Sequence, residues 1–258
     1  MGEYSIVERN GHLTIITINR PSVLNALHAP AHDEFSAIFD DFVADSEQWV
    51  AIVTGAGDRA FSAGNDLKYQ ASGGDMSRIS DTGFAGITSR FDNPKPVIAA
   101  VNGVAMGGGF EIALACDLII AAENAVFALP EPRVGLAALA GGVHRLPREI
   151  GMKQALGMML TGRRVSAAEG RQLGFVNDIA EEGQALTLAK EWAQQILECA
   201  PLSVRASKQA AMEGMNADSL EAAMSGRYEQ VNAMRHSADF VEGPLAFSEK
   251  RLPNWKGA

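Results

Sequence analysis

The amino-acid sequence predicts an α/β fold, and three patterns in its 258 residues carry that prediction. Short runs of apolar and β-branched residues recur along the first half of the chain, as they do in buried strands. Segments with helical spacing of apolar residues lie between them, and this alternation is typical of α/β proteins. From Pro201 onward the chain has a helical pattern without a clear strand. We therefore expect a core over residues 1–200 and a helical region over residues 201–258.

Each predicted element follows from its own local pattern. Apolar residues run together in the predicted strands, which lie at residues 13–19, 50–54, 97–101, 118–121 and 126–128. The first helix is expected at residues 25–43, because Leu27, Phe35 and Phe39 recur at helical spacing. Further helices are expected at residues 110–116, 152–160, 167–173 and 183–199. Residues 70–83 are rich in Gly, Ser and Asp, which indicates a mobile loop beside a site.

The composition argues against several classes of protein. The net charge is −9 and no run of Lys and Arg occurs, so we expect no nucleic-acid partner, although local cations could hold a small anion. Two cysteines without CxxC spacing indicate neither disulfides nor zinc and suit a reducing compartment, which predicts a cytoplasmic protein. Residues 1–10 lack the apolar core of a secretory signal. The apolar stretch at residues 97–122 contains Asn102, Glu111 and Asp117, so no membrane span is expected.

A glycine-containing turn at residues 61–67 is the first segment that could carry chemistry. Gly64 can adopt backbone angles that other residues avoid, which would let neighbouring N–H groups point outward. An outward N–H is half of an oxyanion hole, a pair of donors that stabilises a negatively charged oxygen. Taken alone, the segment is explained better as an ordinary turn between a strand and a loop.

Three consecutive glycines, Gly107, Gly108 and Gly109, precede a predicted helix. Free N–H groups at the positive end of a helix stabilise negative charge. The dinucleotide and phosphate-loop patterns are both absent, and close packing of helix on strand would explain one or two glycines better than three. Glu111 follows in the first turn of the helix, where it either complements the helix dipole or serves as a carboxylate beside an anion-binding nest.

Glu131 follows a short predicted strand and precedes Pro132, so we expect an extended backbone there. A solvated loop glutamate is the more common explanation for such a residue. The apolar segment at residues 134–140 would, however, form a pocket wall that raises the pKa of a nearby carboxyl group by desolvation. The sequence contains neither a histidine spacing typical of a metal site nor a Gly-x-Ser-x-Gly turn, so metal and nucleophilic chemistry are not expected.

Together these segments closely resemble the crotonase superfamily, which comprises enoyl-CoA hydratases and isomerases. The resemblance covers nearly the whole chain, and the order and spacing of its motifs make it specific. The motifs are RP at 20–21, LNAL at 24–27, FSAGNDL at 61–67, residues 96–117, PE at 130–131, LTGR at 160–163 and GFVN at 174–177. The C-terminal EGPLAF at 242–247, KR at 250–251 and WKG at 255–257 look like the carnitinyl-CoA dehydratase branch.

The resemblance implies a crotonase-like spiral of β-β-α turns, in which the helical region at residues 201–258 builds a homotrimer or a dimer of trimers. It implies that the N–H groups of Ala63 and Gly108 form the oxyanion hole and that Glu111 and Glu131 are the acid–base pair. The reaction would need no metal or redox cofactor, because CoA is part of the acyl-CoA substrate. Residues that match the CoA and substrate site are Ser22, Val23, Leu24, Ala63, Asp66, Leu67 and Leu139, with Phe247 and Lys250 reaching CoA from another subunit.

The paired glutamates favour an enoyl-CoA hydratase of fatty acid metabolism, which adds water reversibly and with syn geometry across the 2,3 double bond of a 2-enoyl-CoA thioester. Carnitinyl-CoA dehydratase and Δ3,Δ2-enoyl-CoA isomerase are the alternatives. Carnitinyl-CoA dehydratases usually have Pro-Asp after the second glutamate, where this chain has Ala138 and Leu139, which suit a plain acyl chain. Ser22 also departs from relatives, which often place a basic residue there. A non-catalytic RNA-binding relative would have a basic surface or lack the carboxylates, and neither is seen in this sequence.

Overall fold

Two β-sheets form the framework of the protein, whose structure, a computed structural model, describes residues 2–74 and 80–258. The larger sheet has the spatial order β1 (Ser5–Asn10), β2 (Leu13–Ile18), β3 (Val50–Gly55), β5 (Val97–Val101), β7 (Leu118–Ala122) and β10 (Asp178–Ala180). β1 and β2 form an antiparallel hairpin, and every other neighbouring pair in this sheet is parallel. β3 and β5 are buried over their whole length, as expected of parallel strands covered on both faces.

The smaller sheet contains β4 (Ala60–Ser62), β6 (Val104–Met106), β8 (Val126–Ala128) and β9 (Val165–Ser166). Successive strands alternate between the two sheets, so that β3 is followed by β4, β5 by β6 and β7 by β8. A helical segment follows each of these pairs: α2 (Leu67–Ala71), α3 (Gly108–Ala115) and the 3-10 helix Glu131–Val134, respectively. This arrangement is the predicted spiral of β-β-α turns.

The remaining helices pack around the sheets and form the C-terminal region. The first of them are α1 (Ala29–Ala44), α4 (Gly142–Ile150), α5 (Met152–Thr161), α6 (Ala167–Leu173) and α7 (Ala185–Leu197). The chain ends with α8 (Pro201–Gly214), α9 (Leu220–Ser225), α10 (Glu229–Arg235) and α11 (Asp239–Glu249). Residues 201–258 are all described and contain helices without a strand, as predicted. The division at residue 200 and the oligomerising role of this region stay predictions.

The apolar core lies on both faces of the larger sheet. On one face, α1 buries Phe35, Phe39 and Phe42, which recur every three or four residues and therefore share one side of the helix. On the other face, Ala189 and Ala193 of α7 belong to the same cluster as the buried strand residues Ile52, Ile98 and Ile120. Across residues 2–74 and 80–258, no helix is both long and apolar enough to cross a membrane.

The structure departs from the predicted elements where short-range geometry overrides periodicity. The first helix begins at Ala29, not at residue 25, because Leu24 and Asn25 adopt left-handed backbone angles and Leu27 pairs with Asn65 in an isolated bridge. Strands β4, β6, β9 and β10 were not predicted, because two or three residues seldom establish a pattern. The six-residue strand β1 was not predicted either, and its last four residues are exposed. The predicted mobile loop at residues 70–83 overlaps the end of α2, and its residues 75–79 lie outside the described residues.

Candidate active site

The three-glycine segment forms the start of α3, as its composition suggested. Gly107 has a φ of 53°, which favours glycine, and its N–H donates a 2.9 Å hydrogen bond to the carbonyl of Ala128 at the end of β8. Gly108 is the first helical residue, so its N–H has no acceptor within the helix. No other described residue accepts a hydrogen bond from it. The Gly108 N–H is therefore available to a ligand at the positive end of the helix.

The turn that contains Gly64 lies directly against this glycine segment. Gly64 has a φ of 84°, and a Cβ placed on it would lie 2.7 Å from the amide nitrogen of Gly108 and 2.6 Å from the carbonyl oxygen of Met106. Only a glycine fits such a close approach. The structure thus brings together the two backbone segments that the sequence proposed as halves of one oxyanion hole.

The hydrogen bonds of this turn correct one of the predicted donors. The N–H of Ala63 donates a 2.9 Å hydrogen bond to the carbonyl of Leu24, so it is not free to bind a substrate oxygen. On either side of Asn65, the carbonyl of Gly64 accepts from Leu27 and the N–H of Asp66 donates to Leu27. In a parallel bridge of this kind, the N–H of the residue between the two bonded ones, here Asn65, points away from the partner segment. The Asn65 N–H has no acceptor among the described residues, and it replaces Ala63 as the candidate donor.

Glu111 is buried beside apolar side chains and accepts a hydrogen bond from the backbone. Only 3% of the residue is exposed, and its Oε1 accepts a 2.8 Å hydrogen bond from the N–H of Gly142. A Cβ placed on Gly142 would lie within 3.1 Å of this oxygen and of side-chain carbons of Ala138 and Leu129, so these apolar groups adjoin the carboxylate. Burial raises the pKa of Glu111 to about 7, and the charge of Glu131 adds to the rise, while the N–H of Gly142 opposes it.

The carboxylate of Glu131 lies beside the start of the glycine segment. The residue begins a 3-10 helix, so its backbone is helical and not extended as predicted; the bias that Pro132 imposes is overridden by the turn that ends β8. A Cβ placed on Gly107 would lie 2.9 Å from Oε1 of Glu131, which puts the carboxylate against the start of α3. The other oxygen, Oε2, is buried and has no hydrogen-bond partner among the described residues. Burial raises the pKa of Glu131 above its ordinary value.

The prediction that residues 134–140 form an apolar pocket wall is mostly wrong for the single chain. Val134 is 55% exposed and Leu139 is 77% exposed, and within the segment only Ala138 is buried. Val134 ends the 3-10 helix and Leu139 follows it, and neither side chain enters the core. The apolar surroundings of Glu111 come from Ala138 and Leu129, so one residue of the predicted wall has the predicted effect.

Two of the predicted CoA-binding segments converge in the structure. Ser22 and Val23 belong to the 3-10 helix Pro21–Val23, which Leu24 caps, and the carbonyl of Leu24 accepts the hydrogen bond from Ala63 described above. Asp66 accepts a 3.1 Å hydrogen bond from the N–H of Tyr69, and its other oxygen pairs with Arg20 at 3.0 Å, so this carboxylate supports the turn. Leu67 begins α2 and is 44% exposed.

The remaining predicted contacts belong to the C-terminal end. Phe247, in the last turn of α11, is 87% exposed, and Lys250 follows the helix with a left-handed backbone. Their predicted contact with CoA bound to another subunit stays a prediction, as does the absence of a metal or redox cofactor. Within the part of the chain that the structure describes, no group of three or more His, Cys, Asp or Glu side chains could hold a metal ion.

Arg145 and Gly142 are site residues that the sequence analysis missed. The N–H of Gly142 fixes Glu111, and the guanidinium of Arg145, one turn further along α4, donates a 2.8 Å hydrogen bond to the carbonyl of Thr88. The charge of Arg145 also favours ionisation of Glu111 and so opposes the rise in the pKa of that carboxyl group. The sequence signal that could have revealed Gly142 is the pair Gly141 and Gly142 at the start of α4, which resembles the three glycines at the start of α3.

The spiral fold and this site together define an acid–base enzyme that can stabilise a negatively charged carbonyl oxygen. Two carboxyl groups with raised pKa values flank a helix start that offers free backbone donors, and no nucleophile is needed for such chemistry. Residues 8–258 match the family model described as enoyl-CoA hydratase/isomerase, and the chain belongs to that family.

Individual relatives support this assignment over their whole length. The carnitinyl-CoA dehydratase of Escherichia coli O157:H7 is 43% identical over 261 residues, and the match covers 100% of both chains. The protein of the same name from Salmonella typhi is 44% identical with the same coverage. Among solved structures, an enoyl-CoA hydratase from Mycobacterium tuberculosis H37Rv has 38% identity, a TM-score of 0.92 and full coverage of both chains. An enoyl-CoA hydratase from Mycobacterium marinum has 39% identity and the same TM-score and coverage.

Proposed function

We propose that this protein is an enoyl-CoA hydratase that adds water, reversibly and with syn geometry, across the 2,3 double bond of a 2-enoyl-CoA thioester. The observation that carries the proposal is that two carboxyl groups with raised pKa values lie at the start of α3, Glu111 in its first turn and Glu131 against Gly107. Water addition needs one group that accepts a proton from water and one that gives a proton to carbon. Two neighbouring carboxyl groups, one ionised and one protonated, would meet this need.

The thioester carbonyl oxygen would accept hydrogen bonds from the N–H groups of Asn65 and Gly108. Negative charge grows on this oxygen as water adds at C3, because the electrons of the double bond move toward the carbonyl. Preorganised donors stabilise that charge more than they stabilise the ground state, and each is worth about 3–4 kcal/mol in comparable sites. The support for these two donors is that neither N–H has an acceptor among the described residues.

Proton transfer would be divided between the two glutamates. Glu111, in its ionised form, orients the water and takes its proton as the oxygen bonds to C3. Glu131, in its protonated form, gives its proton to C2, and exchange through water then restores the starting state. General acid–base help of this kind typically gives about 10²–10⁴-fold in rate. The pKa of about 7 at Glu111 supports a base that is partly ionised at neutral pH.

The proposed CoA site combines two segments of this chain with two residues of a neighbouring copy. Ser22, Val23 and Leu24 lie beside the turn that holds Ala63, Asp66 and Leu67. Leu139, on the exposed segment after Glu131, would contact the acyl portion, while Phe247 and Lys250 would reach CoA from another subunit. The proposal therefore includes a homotrimer or a dimer of trimers, in the cytoplasm, without a metal or redox cofactor and without a nucleic-acid partner.

Carnitinyl-CoA dehydratase is the second candidate, because relatives of that name are 43% and 44% identical over the whole chain. That reaction would use the same two glutamates and oxyanion donors on an acyl group that carries a quaternary ammonium. Ala138 and Leu139 provide no charge for such a cation. A Δ3,Δ2-isomerase would need one of the two glutamates and is the weaker alternative.

A panel of 2-enoyl-CoA thioesters of different chain lengths, with crotonobetainyl-CoA included, tests the proposal. We expect the purified protein to consume the plain 2-enoyl-CoAs, with loss of the enoyl absorbance and formation of the 3-hydroxyacyl product. A strong preference for crotonobetainyl-CoA would support the dehydratase instead. Failure to turn over any member of the panel would overturn both hydro-lyase assignments.

A further inference from the structure

Buried polar atoms without a hydrogen-bond partner gather near the candidate active site. Among the described residues, such side-chain atoms include Oε2 of Glu131, Oδ1 of Asn65, Nδ1 of His28 and Nε2 of His32. A buried donor or acceptor without a partner destabilises the fold, so native structures rarely retain one unless a ligand or water satisfies it. Glu131 has a role in the proposed reaction. The other three atoms do not, and we name His28, His32 and Asn65 the polar cluster.

The protonation of His32 follows from its contacts. The residue lies on α1 and is 1% exposed, and its Nδ1 accepts a 3.1 Å hydrogen bond from the N–H of Ala85. Burial lowers the pKa of His32 to about 4, so the ring is neutral at pH 7. In a neutral ring whose Nδ1 accepts, the proton must be on Nε2. His32 therefore presents a buried N–H donor without an acceptor.

A single aromatic ring separates His32 from the proposed oxyanion hole. The ring centroids of His32 and Phe84 are 4.3 Å apart. A Cβ placed on Gly108 would lie 2.6 Å from two carbons of the Phe84 ring, so this ring packs on the residue whose N–H would hold the thioester carbonyl. Phe84 thus contacts both His32 and the residue that carries a proposed oxyanion donor.

The other members of the cluster connect His32 to the opposite half of the oxyanion hole. His28 precedes His32 by four residues, and its ring centroid is 5.0 Å from that of Tyr69 on α2. The residue before His28 is Leu27, which pairs with Asn65. The side-chain amide of Asn65 donates a 2.9 Å hydrogen bond to Gln70 and leaves its Oδ1 without a donor. The cluster thus spans the α1 side of the site from Asn65 to Phe84.

The charge of this region favours an uncharged polar group. Both histidines have lowered pKa values, with burial as the main cause, and the carboxylate of Asp66 is already paired with Arg20. A quaternary ammonium can neither accept from His32 nor donate to Asn65, and an alkyl chain leaves both atoms unpaired. A hydroxyl group both accepts and donates, so it can pair with the donor of His32 or with the acceptor of Asn65.

We propose that the polar cluster binds a hydroxyl group on the acyl chain, so that the preferred substrate is a 2-enoyl-CoA with an uncharged hydroxyl substituent beyond C4. The proposal rests on the hydratase function proposed above, because it assigns the acyl group of the same site. A site built to hydrogen-bond a substrate hydroxyl discriminates strongly against the analogue that lacks it, since the buried partners are then left unpaired.

Matched substrates test the inference: hex-2-enoyl-CoA, its 5-hydroxy and 6-hydroxy derivatives, and crotonobetainyl-CoA. We expect kcat/KM of the wild type to be at least about tenfold higher for one hydroxylated chain than for the plain chain. His32→Leu removes the donor and should bring this ratio close to one, whereas His32→Gln retains an N–H donor and should keep part of it. His236→Gln, an exposed histidine on the C-terminal side of α10, is the control and should keep the full ratio.

Two outcomes separate this inference from the proposed function. Turnover of the plain chain at the same or higher kcat/KM than both hydroxylated chains, or a preference for crotonobetainyl-CoA, overturns the inference and leaves a hydro-lyase in place. If no substrate is turned over, the proposed function fails, and calorimetric binding of saturated hexanoyl-CoA and its 5- and 6-hydroxy derivatives decides the inference separately. Equal affinity for the plain and hydroxylated forms would then overturn it.

Discussion

The backbone N–H of Gly142 donates a 2.8 Å hydrogen bond to Oε1 of Glu111, and this contact joins the first turn of α4 to the first turn of α3. It gives one polar partner to a carboxylate that is otherwise buried beside Ala138 and Leu129. A group in such a position keeps a fixed orientation while its pKa stays high enough for it to exchange protons near neutral pH. The contact therefore links the geometry of α4 to the proposed chemistry of Glu111.

Arg145 should lower the pH at which Glu111 becomes active. Glu111 must be ionised to accept a proton from water, and with a pKa of about 7 the activity should fall as pH decreases through neutrality. The charge of Arg145 favours the ionised form, so Arg145→Gln should move this midpoint to higher pH. The pH dependence of kcat/KM measures the shift.

Arg145→Lys, which keeps the charge, and His144→Gln, an exposed neighbour, should leave the midpoint closer to that of the wild type. An unchanged midpoint in Arg145→Gln would show that its charge does not act on the catalytic base.

The burial of Glu111 should cost stability at high pH. Its folded pKa of about 7 lies above the ordinary value of 4.5, so the folded state binds the proton more tightly than the unfolded state. The protonated carboxyl therefore stabilises the fold fully below the ordinary value, and this contribution is lost as pH rises through 7. Glu111→Gln stays neutral, and it should raise the free energy of unfolding above pH 7 by up to roughly 3 kcal/mol, with little gain near pH 5.

Denaturant unfolding at pH 5 and pH 8, at one fixed protein concentration, checks this difference. A stabilisation of the same size at both pH values would point to a packing effect of the substitution and not to ionisation of Glu111. The absence of any stabilisation at pH 8 would mean that the buried carboxylate is better solvated than its surroundings indicate.

Gly64→Ala should abolish most of the activity through a local change. The new Cβ would lie 2.7 Å from the amide nitrogen of Gly108, so the two proposed oxyanion donors could not keep their positions. We expect a loss of at least about 10²-fold in kcat, the effect of removing one such donor.

Gly183→Ala is the matched control, because Gly183 has a φ of 79° against 84° for Gly64 and a Cβ there meets no atom within 4 Å. Both variants carry the backbone cost of about 1 kcal/mol, but Gly183→Ala should retain activity. Comparable kcat values for the two variants would argue against an oxyanion hole at this turn.

Residue type and order along the chain were sufficient to predict the parts of the site that depend on local sequence. Glu111 was expected in the first turn of a helix after three glycines, and it lies there. The identity of the second donor could not be predicted in this way, because it depends on the acceptor of each N–H in the turn. The N–H of Ala63 donates to the carbonyl of Leu24 and that of Gly64 to the hydroxyl of Ser62, whereas that of Asn65 has no acceptor among the described residues. That is decided by the pairing of the turn with Leu24 and Leu27, which are almost forty residues earlier in the chain.

Tertiary placement explains the other misses. Val134 and Leu139 are apolar and adjacent to Glu131, yet they are exposed, since periodicity does not reveal whether an apolar run enters the core of the single chain or stays at its surface. The contact of Gly142 with Glu111 joins residues 31 positions apart. No local pattern reports such a contact, although the glycine pair at the start of α4 marks a place where backbone N–H groups are free.

The central claim is that Glu111 and Glu131 act together in water addition to an enoyl-CoA, and turnover by Glu111→Gln and Glu131→Gln tests it most directly. Each substitution preserves size and removes the ability to exchange a proton, so each should lower kcat at least about 10²-fold. Binding of a saturated acyl-CoA, measured by calorimetry, should stay within about twofold of the wild type if the loss is chemical. Near wild-type kcat in either variant, with the wild type active on the same 2-enoyl-CoA, would contradict the two-carboxylate mechanism.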